Sequence, residues 1–223
     1  MDTSASRQID LNWKILPQQT KEAFEFLSKQ EWLGESSWYL AGGTALALQT
    51  GHRKSVDLDF FTTDKKFNVK TLLIDFLDYK DWKVTVEEDN TLYGELLGAK
   101  VSFIAYPFFI PKQEFIHYGS IQVLQQLDIA VMKIVTISQR GKKRDFFDLY
   151  WCAHHVEPLL DIIKRLPDQY PSVAHDYHHI LKSLVYFEDA ESDPAPEINF
   201  DASWNVVKNF FKKEILVIMN ELI

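Results

Sequence analysis

Strand-like alternation of apolar and polar residues is clearest between residues 82 and 106. Apolar and polar residues alternate from Trp82 to Glu87, a turn follows at Asp89 and Asn90, and two further strand-like segments, residues 91–97 and 100–106, lie on either side of Gly98. Alternation with a period of two, broken by turn-forming residues, is typical of consecutive antiparallel strands. We therefore predict a meander of three strands in this part of the chain.

Helical spacing of apolar residues surrounds this meander. One helix is predicted from Pro17 to near Gly34, and another is predicted after Asn68, which is suited to cap it. From about Ile121 the strand signals vanish and helical spacing continues to the end of the chain. The pattern predicts an α+β fold, with a mixed α/β domain over residues 1–120 and a helical domain over residues 121–223 packed against it.

A glycine-containing turn follows the apolar run at residues 38–41. Gly42, Gly43 and Thr44 come next, and the apolar residues after them have helical spacing. This order predicts a strand, a tight turn and a helix start, where free backbone N–H groups and the positive end of the helix can receive phosphate.

Two carboxylates follow about a dozen residues later. Asp57 and Asp59 alternate with Val56, Leu58 and Phe60, so a strand would place both acids on one face and the apolar residues on the other. Such a pair offers oxygen ligands to a hard cation such as Mg²⁺ or Mn²⁺. The alternative is an exposed strand face with two acids, which is common.

A mostly apolar helix is predicted from Asp128, its expected cap, to Gly141, its expected end. Lys133 is the one charge in the middle of this helix. A buried ammonium requires a partner. The candidates are an ion pair with Asp145 or Asp148, a bound phosphate, or an extended stem that brings the charge to water.

Four basic residues lie within five positions at the end of this helix: Arg140, Lys142, Lys143 and Arg144. A new helix is predicted to start at Asp145. The cluster is either a solvated turn or, if it lies near Asp57 and Asp59, a group of charges that balances a triphosphate and guides a polyanionic acceptor.

The net charge and the cysteine content of the chain limit which binding partners and which cellular location are expected. Acidic residues exceed basic ones by eight among 223 residues, so binding to a polynucleotide would need a local basic patch or a metal. The single Cys152 suits a reducing cytoplasm, and no early apolar segment has the length of a signal peptide or membrane span, so we expect a soluble cytoplasmic protein. The acidic, proline-containing stretch at residues 188–200 is expected to be a solvated connector.

Taken together, these motifs resemble the AbiEii-type nucleotidyltransferase toxins of type IV toxin-antitoxin systems, within the DNA polymerase β-like superfamily. The resemblance covers about residues 36–152. It is carried by the sequences around Gly42–Gly43–Thr44, around Asp57 and Asp59, and from Asp128 to Tyr150. In residues 153–223 no motif is identified.

The resemblance implies a polymerase β-like fold, a nucleoside triphosphate (NTP) as substrate, an RNA such as tRNA or a protein as acceptor, and a separate antitoxin. Asp57 and Asp59 would hold the metal, and Lys133 would act with them in catalysis. It also favours a phosphate contact for Arg53 and a role for His52 in orienting the loop, whereas the alternative places both residues on the surface of a turn. The expected nucleotide-binding residues are Gly42, Gly43, Thr44, Arg53, Ser55, Arg140, Lys143 and Asp145.

The sequence departs from this family pattern at Ser102. Polymerase β-like enzymes usually carry a third carboxylate on the strand that corresponds to residues 100–105, where this chain has serine. Either another acid such as Glu95 replaces it, or the reaction is slow, or activity has been lost. The preferred hypothesis is a metal-dependent nucleotidyltransferase, and the alternative is an impaired nucleotide-binding or protein-binding module on the same fold.

Overall fold

A mixed sheet of seven strands organises the first part of the chain in the computed structural model, which describes residues 11–76, 79 and 81–222. The strands are β1 (Tyr39–Ala41), β2 (Leu58–Thr62), β3 (Trp82–Glu88), β4 (Thr91–Leu96), β5 (Ala99–Ala105), β6 (Ile116–Tyr118) and β7 (Ile121–Val123). Their order across the sheet is β3-β4-β5-β2-β1-β7-β6. The predicted meander is β3, β4 and β5, and its neighbouring strands are antiparallel.

The centre of the sheet combines both strand directions. Strand β2 pairs with β5 in parallel and with β1 in antiparallel orientation, and β1 pairs in parallel with β7. Helical patterning was predicted from Ile121 onward, but Ile121–Val123 forms strand β7. A strand of three residues is too short to produce a clear period of two.

Short helices accompany this sheet: a 3₁₀ helix (Trp13–Ile15), α1 (Gln18–Leu27), α2 (Glu31–Gly34), α3 (Gly42–Thr50) and α4 (Val69–Ile74). The single helix predicted from Pro17 to Gly34 is therefore two helices, and Pro17 precedes the first. Asn68 caps α4 as predicted, because its side chain accepts hydrogen bonds from Lys70 N and Thr71 N. The helical spacing predicted after Asn68 runs from Val69 to Leu77, and Leu77 lies outside the described residues.

Helices make up the rest of the chain: α5 (Gln126–Arg140), α6 (Lys143–His155), α7 (Leu159–Lys164), α8 (Leu166–Gln169), α9 (Tyr177–Ser183), α10 (Glu188–Glu191) and α11 (Trp204–Leu222). Helix α5 ends before Gly141, whose φ of +46° confirms it as the predicted stop. The prediction that Asp128 caps α5 is wrong. The helix begins at Gln126, and the Asp128 carboxylate accepts hydrogen bonds from Lys112 N and the Gln169 side chain.

The chain forms two compact units. The first contains Met1–Gly51, Ser55–Pro107 and Gln113–Gln125, and the second contains His52–Lys54, Phe108–Lys112 and Gln126–Ile223. A short segment that lies between α3 and β2 in the sequence thus belongs to the helical unit. In the described part of the chain, no helix is long and apolar enough to cross a membrane.

Each unit has its own aromatic core. In the first unit the rings of Phe60 and Phe103 stack with their centroids 5.2 Å apart. In the second, Phe146 contacts Trp204 and Phe211 at centroid distances of 5.7 and 5.5 Å. The architecture is the predicted α+β class, with a mixed sheet and helices.

Candidate functional site

The two predicted metal-binding acids lie at the start of β2. Asp57 immediately precedes this strand and Asp59 is its second residue, and both are half-buried. Leu58 and Phe60 are fully buried, as the alternation predicted. Val56 was expected on the same buried face but is 49% exposed, because β2 begins only after it.

Asp59 lies at the centre of the sheet, directly opposite Ser102 on β5 and Ala41 on β1. Ser102 Oγ donates a hydrogen bond of 2.7 Å to Asp59 Oδ1. Serine therefore stands beside Asp59, at the position where a third carboxylate was expected. Glu95 lies opposite Lys100 rather than Ser102.

Gly42, the residue after Ala41, adopts a left-handed conformation with φ of +72°. A Cβ atom added to Gly42 would lie 3.4 Å from Asp59 Oδ2. The predicted glycine turn and the predicted metal-binding acid are therefore neighbours. Helix α3 begins at this turn and directs its first backbone N–H groups out of the helix.

Replacing Gly42 by alanine should lower the free energy of unfolding by about 1–2 kcal/mol, since alanine at a left-handed position is strained. Urea denaturation followed by circular dichroism measures this change. Gly43→Ala is the matched control, because Gly43 lies inside α3, where alanine is favoured over glycine. Equal stabilities of the two variants would contradict the assigned backbone conformation.

Thr44 has a structural role that the sequence did not predict. Its side chain is buried, and Thr44 Oγ1 donates a hydrogen bond to the backbone oxygen of Asp57 and lies 2.8 Å from the Ser55 hydroxyl, which can donate to it. These bonds tie the first turn of α3 to the segment that leads into β2. The hydroxyl groups of Thr44 and Ser55, which were predicted to bind phosphate, therefore also hold this segment in place.

The residues beside Asp59 are compatible with a hard divalent cation. Asp59 accepts a hydroxyl hydrogen bond on one oxygen, and its other oxygen lies close to Gly42. Mg²⁺ is commonly bound through one or two carboxylates together with water and phosphate oxygens. Among the described residues, no group of three or more histidine, cysteine, aspartate or glutamate side chains is arranged to hold a metal ion.

A buried charge cluster occupies the second unit and is centred on Asp148 of α6. Arg53 binds both oxygens of this carboxylate, from Nε at 2.5 Å and from Nη2 at 2.9 Å. His52 Nε2 lies 2.8 Å from Asp148 Oδ1. Both His52 and Arg53 are buried, so the interpretation of these two residues as surface residues of a turn is wrong.

Lys133 belongs to the same cluster. Its Nζ atom lies 2.6 Å from Asp145 Oδ1 and 2.7 Å from Asp148 Oδ2, and its side chain is 7% exposed. The ion pairs with Asp145 and Asp148 were among the partners considered for Lys133, and a contact of Lys133 with a bound phosphate stays a prediction. Asp145 Oδ2 is buried and accepts no hydrogen bond among the described residues, and Arg140 Nε lies 4.0 Å from it.

The charged groups of this cluster shift one another's pKa values. Burial favours the neutral form of Lys133, but the carboxylates of Asp145 and Asp148 outweigh it and raise the pKa of Lys133. Burial likewise opposes ionisation of Asp148, yet Arg53 and Lys133 hold the pKa of that carboxyl well below its ordinary value. Burial lowers the pKa of His52, so its ring is neutral at pH 7.

The basic cluster forms what we call the basic turn, residues 140–144, between α5 and α6. Arg140, Lys142 and Arg144 are exposed, whereas Lys143 is buried. Lys143 N donates to Asp193 Oδ2 at 2.9 Å, and Lys143 Nζ donates to the backbone oxygens of Glu191 and Asp193. Helix α6 thus begins at Lys143, two residues before the predicted start, and is capped by an acid 50 residues away.

Residues 188–200 are not the solvated connector that was expected. Besides the contacts with Lys143, Lys54 N donates to the backbone oxygen of Glu197 at 2.9 Å, and Asn199 N donates to that of His52 at 2.7 Å. We call residues 191–199 the acidic strap. It contacts both the His52–Lys54 segment and the basic turn, and local sequence patterns carry no signal for contacts this distant.

Comparison with known proteins places these motifs in a family. A model of the family described as "Nucleotidyl transferase AbiEii toxin, Type IV TA system" matches residues 26–78 and 93–211. The chain belongs to the AbiEii nucleotidyltransferase toxin family. The resemblance identified from the motifs is therefore confirmed, and it extends into the part of the chain after residue 152.

Three other proteins are similar to this chain over most of its length. The chain is 38% identical over 202 residues to the uncharacterized protein aq_aa25 of Aquifex aeolicus (strain VF5), and the match covers 87% of this chain and 95% of that protein. MenT4, a nucleotidyltransferase toxin from Mycobacterium tuberculosis H37Rv, matches with a TM-score of 0.56 at 14% identity, covering 92% of this chain and 86% of that one. A proposed nucleotidyltransferase from H. pylori matches with a TM-score of 0.53 at 20% identity, covering 92% and 97%.

These structural neighbours have the polymerase β-like nucleotidyltransferase fold, which this AbiEii family member shares. The predicted site residues are divided between its two units. Gly42, Asp59 and Ser102 come together in the first, and Lys133, Asp145 and Arg53 come together in the second. Convergence of the two groups on one nucleotide remains a prediction.

Proposed function

We propose that this protein transfers a nucleoside monophosphate from an NTP to an acceptor hydroxyl. The observation that carries the proposal is the position of Asp59, with one oxygen held by Ser102 and the other facing the Gly42 turn where α3 begins. Phosphate binding at a helix start next to a carboxylate suits a triphosphate accompanied by a divalent metal. Membership of the AbiEii family supports the reaction class.

In this proposal Asp57 and Asp59 hold Mg²⁺ or Mn²⁺. The metal would supply charge neutralisation on the triphosphate. The backbone of Gly42, Gly43 and Thr44 binds phosphate oxygens through N–H groups, since the Thr44 hydroxyl is already engaged. Six further residues are also proposed to contribute to triphosphate binding: Arg53, Ser55, Lys133, Arg140, Lys143 and Asp145.

The biological setting is proposed from the family. A type IV toxin implies a cognate antitoxin, and the acceptor would be an RNA such as tRNA or a protein side chain. The cytoplasm is the proposed location, because both kinds of acceptor and NTPs are present there.

A second candidate function is a nucleotide-binding or protein-binding module that has lost transfer. Ser102 favours this candidate, because serine cannot serve as a third carboxylate that would deprotonate an acceptor hydroxyl. In that case the same fold would bind a nucleotide and release it unchanged.

Transfer of labelled nucleotide separates the two functions. The protein is incubated with each α-labelled NTP, Mg²⁺, total RNA and cell protein, and the macromolecular fraction is tested for label. We expect label with the wild type and with the control Asp89→Asn, which alters an exposed acid on the β3–β4 turn, but none with Asp57→Asn. Mg²⁺-dependent nucleotide binding without transfer would support the module, and absence of both would exclude the two functions.

A further inference from the structure

A cavity of about 270 Å³ lies beside the basic turn in the second unit. Its lining residues are Arg140, Lys142, Arg144, Asp193 and Pro194. Three of these side chains are cationic and one is anionic. In a chain whose net charge is −8, this is a local concentration of positive charge.

The chemistry of the lining suits an oxyanion. The guanidinium groups of Arg140 and Arg144 are planar and present several N–H donors, an arrangement that matches phosphate oxygens in pairs. The side chains of Arg140 and Lys142 are 56% and 48% exposed, so both can reach a ligand from solution. With Asp193 included, the four charged side chains carry a net charge of +2.

Asp193 already acts as an anion at this turn. Its Oδ2 atom accepts the Lys143 N–H at the start of α6, and its Oδ1 atom lies 3.4 Å from Lys142 Nζ. Burial opposes ionisation of Asp193, but the Lys143 N–H and the Lys142 ammonium outweigh it and lower the pKa of this carboxyl. A ligand that binds Lys142 must therefore compete with a carboxylate that stays ionised at neutral pH.

The position of Asp193 is fixed by the rest of the acidic strap. The buried Lys143 ammonium binds the backbone oxygens of Glu191 and Asp193, and Lys208 Nζ lies 2.6 Å from Glu191 Oε1. These contacts do not depend on the charge of Asp193. Neutralising this one side chain should therefore change the charge of the cavity and leave the strap in place.

We propose that the cavity beside the basic turn binds a phosphate oxyanion, and that Asp193 is a built-in competitor that sets the affinity of this site. The phosphate comes either from the polyphosphate tail of a nucleotide or from the backbone of a nucleic acid. Arg140 is also among the residues proposed above for triphosphate binding, so this inference rests in part on the proposed function and adds Lys142, Arg144 and Asp193 to it. Binding here requires neither Asp57 nor Asp59 and no transfer reaction, so it can fail or hold separately from transfer.

Calorimetric titration with inorganic tripolyphosphate, without metal, tests this site. Asp193→Asn should bind tripolyphosphate about 10-fold more tightly than the wild type, because a competing negative charge is removed next to Lys142. Asparagine caps helices as well as aspartate does, so the start of α6 is preserved. The control Asp201→Asn removes an exposed negative charge elsewhere in the same unit and should change the affinity less than 2-fold, an estimate based on the weak effect of distant exposed charges in salt.

The location of binding is tested by adding Arg144→Gln to Asp193→Asn, which should abolish the gain in affinity. A short single-stranded RNA, titrated in the same way, distinguishes the sources. If Asp193→Asn raises the affinity for tripolyphosphate more than the affinity for RNA, the natural ligand is a nucleotide tail. If it raises the affinity for RNA more, the natural ligand is a nucleic-acid backbone. The proposal is overturned if Asp193→Asn raises the affinity for neither ligand more than Asp201→Asn does. It is also overturned if the gain in affinity persists after Arg144→Gln is added.

Discussion

Replacing Asp148 by asparagine should lower the free energy of unfolding by about 3–5 kcal/mol, the range typical of removing one partner from a buried ion pair. Asp148 is the shared partner of Arg53, Lys133 and His52 in the second unit. An asparagine side chain has nearly the same shape but no charge. Arg53 and Lys133 would stay buried with one compensating carboxylate fewer, and this desolvated positive charge is what destabilises the fold.

The pH dependence of stability provides an independent measure of the same cluster. The unfolded chain protonates Asp148 near its ordinary pKa of about 3.9, whereas the folded chain does so only at much lower pH. The stability that Asp148 contributes is therefore present above about pH 4 and is lost as the pH falls toward its folded pKa. Asp148→Asn should lack this acid-side loss.

His52 affects the pH dependence of stability at a higher pH than Asp148 does. Because burial lowers its pKa, the unfolded chain takes up a proton from about pH 6.5 downward before the folded chain does. Stability from the neutral His52 ring is thus present above about pH 6.5 and decreases as the pH falls below it. The two residues can be separated by the pH range in which each acts.

Urea denaturation at pH 7 and at intervals down to pH 3 measures both effects. Asp201→Asn, an exposed acid of the same unit, is the control and should change stability by no more than about 0.5 kcal/mol. A loss below about 1 kcal/mol for Asp148→Asn would mean that the buried positive charges find other partners, and the assigned role of Asp148 would be wrong.

Local patterns predicted the parts of the fold that depend on neighbouring residues. The β3–β5 meander follows from alternation, the end of α5 follows from Gly141, and the cap of α4 follows from Asn68. Failures occurred where distant contacts override local preference. Asp128 has a good capping side chain, but Lys112 and Gln169 bind it instead.

The candidate site divides in the same way. The Gly42 turn and Asp59 were predictable because both the strand and the helix start have sequence signals. The pairing of β1 with β2 places Ala41 opposite Asp59 and so brings Gly42 next to that carboxylate. The burial of His52 and Arg53 was not predictable, since it depends on Asp148, more than 90 residues away. The role of Asp193 at the start of α6 depends on a contact across 50 residues and has no local signal either.

Asp59→Asn should reduce the rate of nucleotidyl transfer at least about 100-fold, because even residues that only support a metal ligand contribute about 10–100-fold. Ser102→Ala, which removes the hydrogen bond to Asp59 Oδ1, should reduce the rate about 10-fold at limiting Mg²⁺ and less at saturating Mg²⁺. This graded response distinguishes a ligand from the residue that orients it. Initial rates with labelled NTP over a range of Mg²⁺ concentrations measure both variants.

Two further comparisons decide how this result is interpreted. Asp89→Asn changes an exposed acid of the same unit and should keep the wild-type rate, which excludes a general effect of net charge. Circular dichroism must show that Asp59→Asn is folded, because a carboxylate bound to Ser102 in the centre of the sheet also has structural contacts. Transfer by folded Asp59→Asn at the wild-type rate would mean that Asp59 does not bind the catalytic metal, and this role would have to be assigned to other residues.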